Sequence, residues 1–145
     1  MRAPFLALVA VVLLTGCTRH PPPQGRWEGT YDTAEAMVAA RVEIDDKGNV
    51  RITAPNAEDV GDNEDSRAAM RQNLAAGLAT GWNSVEPRPM DFDGHVFRKP
   101  GGIAPQMIWD AKAKQMSIVV YLGVKEPIRF KLQSVDDFSQ NPWPN

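Results

Sequence analysis

The sequence predicts a mainly β (α+β) domain of about eight antiparallel strands, forming a small barrel or bent sheet, with one inserted amphipathic helix at about residues 63–80. Three observations carry this. From Gly25 onward apolar and polar residues alternate with period two in several short runs. Turn-forming Asp, Gly and Asn separate those runs. A single stretch, "EDSRAAMRQNLAAGLATG", changes to a helical period.

The strands follow in chain order. "GRWEGTYD" places Trp27 and Tyr31 on one face. In "AMVAARVEI" Ala36, Val38, Ala40, Val42 and Ile44 share a face, while Arg41 and Glu43 fall on the other, the signature of a half-buried strand. "DDKGN" (residues 45–49) turns the chain, and Val50 and Ile52 then alternate with Arg51 and Thr53, completing a hairpin. "DFDGHVFRK" carries an Asp93-Gly94 turn between two short strands. "QMIWD" and "QMSIVVYLG" flank "AKAK", and "PIRFKLQ" sets Ile128, Phe130 and Leu132 against Arg129, Lys131 and Gln133, so the C-terminal third reads as a meander.

In the helical stretch Met70, Leu74 and Leu78 recur every four residues. Asp62 or Asn63 is the N-cap, acids occupy the first turn and Gly81 is the C-terminal stop. The narrow apolar stripe suits a helix lying across a sheet or capping a barrel end.

The two ends differ from this body. Arg2 followed by "FLALVAVVLL" is a basic residue and an apolar run of secretory length, shorter than the ~20 residues that span a bilayer. Leu14-Thr15-Gly16-Cys17 follows at once, and it resembles the lipobox of bacterial lipoprotein precursors. The resemblance implies cleavage before Cys17, a diacylglyceryl thioether on that sulfur, and acylation, with palmitate for example, of the new amine. Thr18 replaces the aspartate that would resemble the inner-membrane retention signal, so the expected address is the outer membrane, facing the periplasm. The organisation is then signal peptide 1–16, lipidated cysteine and proline-rich tether 17–24, β-rich domain 25–138, and tail 139–145. Three successive prolines in "TRHPPPQ" favour an extended tether reaching roughly 20 Å, with His20 solvated. "SQNPWPN" reads as a tail whose Trp143 can dock back.

Composition supports export. Cys17 is the only cysteine, so no internal disulfide forms, and lipidation would consume a thiol that is otherwise a liability in an oxidising compartment. After removal of residues 1–16, which hold Arg2 and no acid, 129 residues carry 15 Lys+Arg against 18 Asp+Glu, a formal charge of −3. No basic run or aromatic-basic interleaving points to nucleic acid. Gly25-x-Trp27 on the first strand is similar to the lipocalin signature, which implies a tryptophan closing a barrel floor against a basic side chain from a late strand. Arg129 is the candidate for that partner.

No catalytic constellation is legible. His95 is flanked by Asp91 and Asp93, and Ser84 or Ser117 could supply a hydroxyl, but nothing in the spacing unites them and G-x-S-x-G is absent. Five acids in "EDVGDNED" (residues 58–65) could hold Ca²⁺ weakly, yet acids before a helix are explained by its positive N-terminal end. Asp45 and Asp46 are explained by turn chemistry. The expectation is therefore no metal and no cofactor. Of the aromatics, Trp82, Trp109 and Tyr121 are the candidate ligand-binding residues, Trp82 as a rim residue just past the helix. "RKPGGIAPQ" (residues 98–106) is a Gly/Pro loop of the kind that carries binding on a rigid scaffold.

The resulting expectation is a lipid-anchored envelope lipoprotein acting as a non-catalytic periplasmic binding or interaction module, with a small apolar ligand or an envelope protein as partner. Two alternatives remain. One is a structural envelope protein docking on peptidoglycan or an envelope complex through the helix face of Arg67 and Arg71, and the other is a small hydrolase around His95.

Overall fold

The computed structural model describes residues 20–123 and 125–144. The signal segment and the lipobox with Cys17 lie outside the described residues. The elements are β1 (Gly25–Asp32), β2 (Ala36–Ile44), β3 (Val50–Thr53), β4 (Asn56–Glu58), α1 (Glu64–Ser84), β5 (Asp91–Phe92), β6 (Val96–Arg98), β7 (Pro105–Asp110), β8 (Gln115–Val120) and β9 (Ile128–Val135). Eight strands form one antiparallel ladder in the order β3-β2-β1-β9-β8-β7-β6-β5, and the short β4 pairs with the first part of β2. The sheet curls into a half-barrel.

Closure of the curl begins where the chain's ends meet. β1 pairs with both β2 and β9, so the first and last strands lie side by side at the centre of the ladder. Inside the curl, alternate residues of every long strand make one core: Trp27, Val38, Ala40, Val42, Ile44, Phe97, Met107, Met116, Ile118, Phe130 and Leu132 are all buried. Trp27 meets Trp109 edge to face at 6.2 Å, and Phe92 stacks on Phe97 at 4.2 Å. The late-strand cation expected beneath Trp27 is not Arg129. Trp27 faces Ser134 in the β1–β9 register, and the odd offset puts Arg129 on the opposite, exposed face.

β2 departs from the half-buried expectation because its outer face is covered as well. Met37 and Ala39 are fully buried against Leu74 and Leu78 of α1 and against Trp143. Arg41, expected in solvent, is 7 % exposed. Its Nη2 donates to the Ser139 carbonyl at 2.6 Å, its guanidinium lies over the Phe138 ring, and burial pulls its pKa down from the usual value. The C-terminal segment thus packs onto the sheet. Ser139 Oγ donates to Glu28, and Trp143 Nε1 donates to the Arg71 carbonyl.

α1 starts at the Asn63 cap, whose side chain accepts from the Ser66 N–H. It runs to Ser84, past the expected stop at Gly81. The glycine has another reason: a Cβ there would lie 3.1 Å from Thr53 Cγ2, so its absence lets the helix lie close on β3. Among the described residues no helix is long and apolar enough to cross a membrane.

The candidate site at the open seam

The edge strands of the curl, β3 and β5, do not pair with each other. Residues 85–90 span the gap between them. That segment touches β3 through one bridge, in which the N–H of Val50 donates to the Arg88 carbonyl at 2.7 Å and the Arg88 N–H returns to the Val50 carbonyl at 2.9 Å. Two prolines, Pro87 and Pro89, flank Arg88 and lack the donors a longer ladder would need. The seam therefore stays partly open.

A cleft of about 660 Å³ occupies it. Val50, Ile52, Val85, Met90, Pro89 and Pro100 give it an apolar lining, and Arg88, Lys99 and Glu86 bring charge to it. Among the described residues neither Arg88 nor Lys99 is in an ion pair or a side-chain hydrogen bond. The volume falls in the range of small-molecule sites, and the mixture of apolar surface with a few polar groups is their usual composition. Lys99, Pro100 and Gln106 come from the Gly/Pro stretch singled out in the sequence. Residues 85–90 give no such signal, because "VEPRPM" alternates with no period.

The three aromatic candidates do not gather at this cleft. Trp82 is clamped at the end of α1, with the Arg51 guanidinium 4.3 Å above its ring and Phe138 at 4.8 Å on its edge. Arg51 also donates to the carbonyls of Trp82 and Val85, so this tryptophan ties α1 to β3 and to the C-terminal segment. Trp109 packs on Trp27. Tyr121 is 47 % exposed and its hydroxyl donates to the Pro105 carbonyl.

His95 sits elsewhere, on the rim of a depression of about 180 Å³ shared with Asp110, Ser117, Arg129 and Lys131. Its Nδ1 lies 2.6 Å from the Trp109 carbonyl, an acceptor, which fixes the proton on that nitrogen. Neither flanking acid orients the ring. Asp91 accepts the Gly101 N–H, while Asp93 accepts the N–H groups of Val96 and His95 and the Arg98 guanidinium. Of the two candidate hydroxyls, Ser117 shares the depression and Ser84 lines the seam cleft.

The bonds from Val96 N–H, Arg98 and His95 N–H hold the Asp93 carboxyl well below the usual carboxylate range. In the unfolded chain an aspartate titrates near pH 3.9, so as pH falls below about 4 the unfolded state takes up the proton first and the contribution of this turn is lost. Urea midpoints at pH 6 and pH 3 should show a smaller acid-side loss in Asp93→Asn than in the parent protein.

The acids of residues 58–65 are dispersed rather than gathered. Asp59 pairs with Lys125, and Glu64 with Arg71. Arg67 and Arg71 both turn to Asp32, so the helix face expected to dock on a partner is tied to β1 instead. No protein-family model, curated protein or solved structure matches this chain. The site must be read from its own geometry.

Proposed function

We propose that this chain is a lipid-anchored cell-envelope protein, moored through Cys17 and facing the periplasm, that binds a small amphiphile without transforming it. The cleft at the open seam carries this reading: an apolar trough beside Arg88 and Lys99 fits an apolar body with an acidic head group. The sequence Leu14-Thr15-Gly16-Cys17 supports the anchor. The polar groups that the cleft presents, Arg88, Lys99 and Gln106 beside Ser84 and Glu86, suit the orientation of such a head group. Docking as a purely structural envelope protein has less support, since Arg67 and Arg71 are engaged within the domain.

The test uses the full chain in detergent with anilinonaphthalene sulfonate, an apolar anion whose emission rises in apolar sites. Saturable binding at one site, displaced by decanoate, is expected. Ile52→Trp, which fills the trough, should weaken it at least about tenfold, equivalent to about 1.4 kcal/mol. Binding unaffected by Ile52→Trp and by Arg88→Glu would reject the cleft as the site. Turnover of any substrate that is abolished by His95→Ala would reject the non-catalytic reading.

A further inference from the structure

The sequence suggests an extended spacer between Cys17 and the domain, and within it the exposed His20 and the half-buried Pro22 touch the body. The His20 ring covers Gly94: a Cβ on that residue would come within 2.8 Å of His20 Cδ2 and 3.1 Å of its Cγ. Pro22 covers Gly48 in the same way, with a Cβ there only 2.9 Å from Pro22 Cγ. Both glycines hold positive φ in tight turns, 97° and 80°, so each contact rests on a position that disfavours any larger residue. Pro22 and Pro23 are half-buried.

These two turns belong to one end of the curl. Antiparallel pairing sets the start of β1, the β2–β3 turn, the β5–β6 turn, the β7–β8 turn and the end of β9 at that end. The opposite end carries the β1–β2, β6–β7 and β8–β9 connections, about 25 Å away along an eight-residue strand. Only Thr18 and Arg19 separate His20 from Cys17, and three peptide units reach at most about 11 Å.

We infer that residues 20–24 are a docked strap, and that the protein stands on a phospholipid bilayer with its β2–β3, β5–β6 and β7–β8 turns against the headgroups and its β6–β7 loop facing away. This inference rests on the lipid anchor at Cys17. At that end the carboxylates of Asp45, Asp93 and Asp110 keep their charge while accepting N–H groups of their own turns, and Arg26 is held by Glu43 and Asp137, so the orientation rests on the reach of the anchor and not on charge.

The test uses full-length protein from bacteria that process lipoproteins, reconstituted in phosphatidylethanolamine–phosphatidylglycerol vesicles containing a headgroup quencher. Lys47→Cys and Ile103→Cys are labelled separately with a fluorophore, the Cys17 sulfur being blocked by its thioether. Ile103 is 91 % exposed on the β6–β7 loop, so neither label disturbs the core. Severalfold stronger quenching at position 47 than at 103 is expected, and the difference should collapse when His20→Gly and Pro22→Gly are combined. Tryptophan emission reports whether that double variant keeps its fold.

Equal quenching at the two positions in palmitate-labelled protein overturns the orientation and leaves the anchor standing. A difference that survives the double variant overturns the strap. Failure to incorporate palmitate overturns the anchor and the orientation together.

Discussion

Trp143→Ala should lower the stability of the domain by about 3 kcal/mol, or about 10 °C in Tm, although only two residues follow it. Among the described residues the outer core has five buried members, Met37, Ala39, Leu74, Leu78 and Trp143, and the indole is the largest of them. Removing it opens a cavity between α1 and β2. It also leaves the bond from Trp143 Nε1 to the Arg71 carbonyl unmade. Because α1 lies on the sheet through Leu74 and Leu78, the helix should loosen before the inner core does. Amide exchange should therefore rise first in residues 70–82, with β7 and β8 still protected. A loss below about 0.5 kcal/mol would mean that the C-terminal segment does not hold the helix.

Cys17→Ser should move the protein entirely from the membrane fraction to the soluble fraction. Each buried methylene of an acyl chain contributes about 0.8 kcal/mol, so one chain binds marginally and two or more bind stably. The described domain has no membrane-crossing helix to substitute for them. Lys47, Lys112 and Lys114 cannot retain the protein alone, since a lysine near a headgroup is worth at most about 1 kcal/mol and is screened by salt. Retention of Cys17→Ser on washed membranes would show that something other than acyl chains moors this protein.

How far the sequence discloses the molecule depends on the period of each segment. β9 alternates cleanly because one face meets the core and the other meets water, and β1, β3, β7 and β8 also form where the pattern places them, although Thr53 and Ser117 on the polar phases of β3 and β8 are buried. β2 was legible as a strand, but not as one buried on both sides. Met37 and Ala39 could equally have been outward residues, and Arg41 reads as solvated until Phe138 and Ser139 are seen to cover it. β4 is three residues with no apolar pattern, and its pairing to β2 is set by the path of the chain into α1. Gly81 has the composition of a helix stop and the role of a packing contact, a distinction that requires knowing where Thr53 lies.

The candidate site was half legible. The Gly/Pro loop of residues 98–106 pointed to one wall of the seam cleft through Lys99, Pro100 and Gln106. The other wall comes from "SVEPRPM", whose prolines announce irregular backbone without saying which strand edge it will follow. Trp82 lies on a helix that runs about a turn beyond the expected stop, between the Arg51 guanidinium and the Phe138 ring, neighbours that the sequence around it does not announce. Three successive prolines predict an extended segment over residues 21–23 and say nothing about the turns beside it.

The most direct measurement is the intact mass of the protein extracted from bacterial membranes, followed by fragmentation of its N-terminal peptide. A chain beginning at Cys17 that carries a diacylglyceryl group on sulfur and a further acyl chain on nitrogen is the expected result. A chain that retains Met1, or one cleaved elsewhere with an unmodified Cys17, would contradict it.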